Sequence, residues 1–143
     1  MPMKTFRGKI AGDGTETIAL HTIDGSQGYK IKKLEIMPAA FTGDQVGIFT
    51  VNTVAFTPTS TVDFSDQTLV AVGLLRTGNL LSETYTQDVV FDNITFNQDI
   101  HLGFKNLDAA IDMNYHIELE LVKLDLNENT VATLKDIRNI KSQ

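Results

Sequence analysis

Short apolar runs recur along this chain between polar, Gly- and Asp-bearing breaks. Examples are residues 6–10 (Phe-Arg-Gly-Lys-Ile), 18–20, 46–51 and 100–104. Runs of this length with alternating character predict strands, and their close spacing predicts a β-sandwich or barrel. Residues 4–11 form the first strand, with Phe6, Gly8 and Ile10 sharing one face. Gly12-Asp13-Gly14 supplies positive-φ residues and a polar acceptor for a tight turn, so 4–11 and 15–23 read as a hairpin. Residues 24–28 close that strand as a loop.

The strand at 29–37 slips out of phase between Ile31 and Leu34, where Lys32 and Lys33 intervene. A β-bulge there restores the inward phase of Leu34 and Ile36, and Pro38, with no amide proton to donate, ends the ladder. Residues 45–51 are apolar on both faces, as in a central strand covered on both sides. Residues 52–66, rich in Thr, Ser and Asp, read as an extended edge or a loop reaching outward. Further strands are expected at 69–75, 85–91, 94–96 and 99–104. The segment 114–126 alternates most cleanly: Ile117, Leu119 and Leu121 face in and Glu118 and Glu120 face out, before the phase flips to Leu124 and Leu126. In the tail, Val131, Leu134, Ile137 and Ile140 recur every third residue behind Asn129 and Thr130 as N-caps, predicting a short C-terminal helix, with an extended tail as the competing reading. Eight or nine strands without a crossover helix, linker or repeat predict an all-β antiparallel β-sandwich, jelly-roll-like, as a single domain over residues 1–143.

Composition narrows the chemistry. The 143 residues include no Cys, no Trp and three His (His21, His101 and His116), so neither disulfides nor thiolate metal sites are available. No apolar run approaches the roughly 18 residues that span a bilayer. The N-terminal residues lack the apolar core of a secretory signal, so synthesis in a cytoplasm is expected and the sequon at Asn93 carries little meaning. The net charge of −6 is uneven: +2 over residues 1–40, −7 over 41–112 and −1 over 113–143. An acidic centre disfavours nucleic acid, which requires clustered Lys and Arg, and suits a basic protein surface or solubility.

No reactive constellation stands out. The histidines occur singly, no Gly-x-Ser-x-Gly elbow is present, and no zinc spacing occurs. Glu118 and Glu120 lie about 7 Å apart on one strand face, a carboxylate pair that reads as a solvated face sooner than a glycosidase site. Asp63, Asp66, Asp108 and Asp112 do not match a calcium loop, and turn chemistry accounts for them. The chain is therefore read as a non-enzyme without cofactor or metal. Interaction surface remains: Met3, Lys4, Phe6 and Arg7 near the N-terminus, and Leu134, Ile137 and Ile140 in the tail, all combining apolar with neighbouring basic residues.

The segments His116–Asn139 and Tyr29–Pro38 resemble small structural proteins of virus particles, those of tailed bacteriophages and related marine viruses. The resemblance implies a jelly-roll-like sandwich, usually a homo-oligomer (trimer or dimer), on the outside of a capsid or in portal and tail machinery. It points to a capsid decoration or cement protein located in the virion, with the major capsid protein or other virion proteins as partners and no nucleic acid or membrane. The alternative is a carbohydrate-binding β-sandwich module on a viral fibre or tail, with Tyr29, Tyr85 and Tyr115 as stacking candidates. A cupin-like enzyme would need a histidine–carboxylate metal set.

Overall fold

The computed structural model describes residues 3–20, 27–40, 45–77, 85–107 and 112–124. These residues form eight strands: β1 (Met3–Ile10), β2 (Thr15–Ile18), β3 (Gln27–Pro38), β4 (Gln45–Asn52), β5 (Leu69–Thr77), β6 (Tyr85–Val90), β7 (Ile100–Asn106) and β8 (Met113–Lys123). All pair antiparallel, in a three-stranded sheet ordered β1-β8-β3 and a five-stranded sheet ordered β2-β7-β4-β5-β6. First pairs with last, second with seventh and fourth with fifth, as when one long hairpin is wound into two layers. That is jelly-roll topology. The remaining third–sixth relation survives as a bridge: Tyr29 and Phe96, the latter just past β6, exchange backbone hydrogen bonds of 2.7 and 3.0 Å.

Alternation builds the core. On β8, Met113, Ile117 and Leu119 are fully buried, and they meet Phe49, Val51, Leu102 and Phe104 of the opposite sheet in one apolar cluster. The bulge in β3 lies between Ile31 and Lys33, and it keeps both Ile31 and Leu34 buried. β4 lies between β5 and β7, and its residues on both faces are buried or half-buried, as its two-sided apolar pattern requires.

Two local expectations are corrected, and a third gains detail. β1 and β2 are not a hairpin, because β1 pairs with β8 and β2 with β7. The turn between them carries the chain from one sheet to the other. It is closed by Gly14 N–H donating to the Ala11 carbonyl at 2.9 Å, and its positive φ (58°) belongs to Asp13. Asp tolerates the left-handed region, and here its Oδ1 also accepts the Asn106 N–H at 3.1 Å and lies 3.5 Å from Lys105 Nζ. Beyond Asn52, segment 52–66 is a loop, as read, and its first part lies against the sheet: Phe56 and Pro58 lie so close over Gly103 that a Cβ there would sit 2.5 Å from the Phe56 ring. Residues 59–65 of it form a continuous exposed run. Residues 94–96 are not a strand, and Phe96 alone makes the bridge. The proposed C-terminal helix, together with Leu126, lies outside the described residues.

One polar contact ties the layers together. Tyr115, 8% exposed, donates its hydroxyl to Glu16 Oε2 at 2.7 Å across the sandwich. Burial, then the neighbouring carboxylate, push the phenol pKa well above its usual 10. Tyr115→Phe is expected to cost about 1 kcal/mol of unfolding free energy. A denaturation double-mutant cycle with Glu16→Gln measures the coupling, and zero coupling would show the contact to be inert. Because the pKa is raised on folding, this stability is intact below about pH 10 and falls as the phenol ionises above it.

Candidate interaction surfaces

The outward face of the three-stranded sheet is set by register. Arg7, His116 and Glu35 form one cross-strand row, Thr5, Glu118 and Lys33 the next, and Met3, Glu120 and Lys30 a third. The neighbours are ion-paired across and along strands. Lys33 Nζ lies 3.2 Å from Glu35, His116 Nδ1 3.4 Å from the same carboxylate, and Lys32 Nζ 3.6 Å from Glu120. The hydrogen bond and charge of Lys33, followed by those of His116, hold the Glu35 pKa below the usual 4.5. A lowered carboxylate pKa stabilises the fold above the unfolded value, and this contribution disappears as pH falls through the folded value. In Lys33→Ala, an NMR titration of the Glu35 carboxyl should show a midpoint raised towards 4.5; an unmoved midpoint would count against the pairing.

The sequence-derived interface residues do not form one cluster. Met3 and Arg7 point outward on this face, whereas Lys4 and Phe6 alternate to the other side. There Phe6 packs against the core, and Lys4 Nζ sits 6.0 Å from its ring centroid. Leu134, Ile137 and Ile140 lie outside the described residues. Glu118 and Glu120 share the outward face, as alternation requires, and Glu120 is engaged by Lys32. Met37, 59% exposed, is a member of this face that pattern reasoning had placed merely at the end of a strand.

The histidines are separated. His116 is on the outer face of the three-stranded sheet, while His101 lies on the outer face of the five-stranded sheet with Nδ1 3.1 Å from Thr17 Oγ1. His21 lies outside the described residues, and among those described no three His, Asp or Glu side chains gather as a metal site. Asp63 and Asp66 build two successive turns. Asp63 Oδ1 accepts the Ser65 amide and hydroxyl at 2.9 and 2.6 Å, and Asp66 Oδ1 accepts those of Thr68 at 2.9 and 2.7 Å. The Ser65 hydrogen bonds lower the Asp63 pKa.

Two of the three tyrosines suggested for sugar stacking are core residues: Tyr29 is 3% and Tyr115 8% exposed. Tyr85 is 52% exposed, with its hydroxyl donating to Gln87 Oε1 at 2.9 Å. The exposed aromatic that sequence reasoning missed is Phe64, 56% exposed and packed edge-on against Phe91 at 5.1 Å. Its signal was present: a large apolar residue inside an Asp-x-Ser turn has no strand face on which to bury itself.

No family model matches the chain, and no curated protein is similar to it in sequence. Among the described residues no helix is long and apolar enough to cross a membrane.

Proposed function

We propose that this protein is a virion structural protein, a capsid decoration or cement protein that acts by binding. The supporting observation is the outer face of the three-stranded sheet, a broad strand surface carrying paired charges together with exposed Met3 and Met37. Such a surface suits a polar, rim-like contact with another protein, with a few apolar anchors. The resemblance of segments 29–38 and 116–139 to phage structural proteins supplies the partner: the major capsid protein or other virion proteins. Asp63 and Asp66 are engaged in turns, and Glu35, Glu120, His101 and His116 in pairs with neighbouring side chains, an arrangement that serves shape and adhesion.

A subunit that binds the assembled lattice and not its dissociated parts stabilises the lattice by mass action. At a free concentration 100 times the dissociation constant the gain is about 2.7 kcal/mol per site. The protein, working as a homo-oligomer, should co-sediment with expanded capsids and raise their disruption temperature. Failure to co-sediment with any virion component rejects the reading. The alternative, a carbohydrate-binding module on a fibre or tail, draws on Phe64 and Phe91 beside Asp63 and Asp66. Selective glycan-array binding that is lost in Phe64→Ala would favour it.

A further inference from the structure

The jelly roll sorts charge by layer. The strands of the three-stranded sheet carry seven Lys and Arg against three Glu, a net of +4, and their outer face carries Arg7, Lys9, Lys30, Lys32 and Lys33 against Glu35, Glu118 and Glu120, a net of +2. The described segments of the other layer, residues 15–20, 45–77 and 85–107, carry two Lys and Arg against six Asp and Glu, a net of −4. Each layer also offers exposed apolar side chains beside its charges. On the basic face, Met3 and Met37 are 48% and 59% exposed among Arg7, Lys9, Lys32 and Lys33. On the acidic side, Val62 and Phe64 are 39% and 56% exposed, flanked by Asp63 and Asp66.

We propose that copies of this chain associate head to tail, with residues 59–66 of one copy seated on the outer face of the three-stranded sheet of the next. Two basic faces meeting each other would oppose like charges, which is unfavourable on adjoining strands and at interfaces alike. The acidic loop meets the basic face with opposite charge, and its apolar tip meets Met3; Met37, opposite Asn114 where Met3 is opposite Glu120, lies at the far corner of the sheet, about 20 Å further along β8. The hydrogen bonds of Asp63 and Asp66 already shape that tip, which lowers the ordering cost of docking. A contact between two different surfaces closes into a ring or continues as a filament, and a ring accommodates a trimer. This rests on the homo-oligomer part of the reading above; the contact takes the Met3 corner of the face and leaves the Met37 corner to the capsid.

The chain has no cysteine, which permits a direct test. One preparation carries Thr61→Cys, exposed beside the apolar tip, and a second carries Thr5→Cys, Thr5 being exposed on the basic face opposite Glu118. On mixing under mild oxidation, the disulfide between unlike variants should predominate. Light scattering of the unmodified chain should show a mass above 15.8 kDa that declines with added salt. Phe64→Ser and Arg7→Glu should each return the mass to that of one chain with an unchanged melting profile. A mass of one chain at every concentration overturns the proposal, as does a predominance of disulfides between like variants. A monomer that still sediments with capsids refutes the head-to-tail contact alone; an assembly that does not sediment refutes the capsid reading alone.

Discussion

Phe104→Ala is expected to lower the unfolding free energy by about 3–5 kcal/mol, and thermal unfolding should fall by on the order of 10–20 °C. Phe104 is fully buried, pairs across the ladder with Phe49, and belongs to the cluster that joins the two sheets. Its ring occupies the space that a side chain at position 47 would fill: a Cβ built on Gly47 would lie 2.3 and 2.5 Å from two ring carbons and 3.3 Å from the Lys105 carbonyl. Gly47 is therefore the hole that receives this ring. Gly47→Ala alone should cost about 1–3 kcal/mol, because a ring wedged in a packed core can yield only by straining its neighbours. In the Phe104→Ala background the same methyl group enters vacated space, and its penalty should disappear. Chemical denaturation of the four proteins gives the coupling, expected at about 0.5–3 kcal/mol. Simple additivity would mean that the ring and the glycine do not share this space in solution.

Phe96→Ala is the second large effect, again about 3–5 kcal/mol. Phe96 is 1% exposed, and its ring lies 6.2 Å from that of Tyr29, nearly parallel at 29°. The two backbone hydrogen bonds between these residues are the link between β3 and the segment beyond β6. Without the ring, those bonds lose part of their apolar cover against water. Native-state hydrogen exchange should then show the Tyr29 and Phe96 amides losing protection ahead of those at the centre of β8. Equal loss at both places would mean that this corner does not open as a separate unit.

The legible parts of the fold were those written in nearest neighbours. The alternation at 117–121, the two-faced apolar run of β4 and the phase slip at Lys32 and Lys33 each follow from the two-residue period of a strand. The misread hairpin at 4–23 shows where that logic stops. Gly12-Asp13-Gly14 states that the chain reverses, and it is silent on which strand lies alongside. The same limit applies to the candidate surface. Met3 and Arg7 were identifiable, but alternation about β8 directs Lys4 and Phe6 to the opposite side, and Met37 joins the face only through its register opposite Asn114. Phe56 and Pro58 were legible as loop but not as the cover of Gly103, which lies more than forty residues further along the chain.

By itself, the amino-acid order determined that this protein is built from strands, which side chains each strand turns inward, and that its charge is uneven along the chain. Tertiary structure alone decided that residues 3–10, 27–38 and 113–123 share one sheet, and so converted a lengthwise imbalance into a basic layer backed by an acidic one. The reason is physical: side-chain alternation is a property of consecutive residues. Sheet membership depends instead on burying apolar faces contributed by segments more than a hundred residues apart, such as β1 and β8.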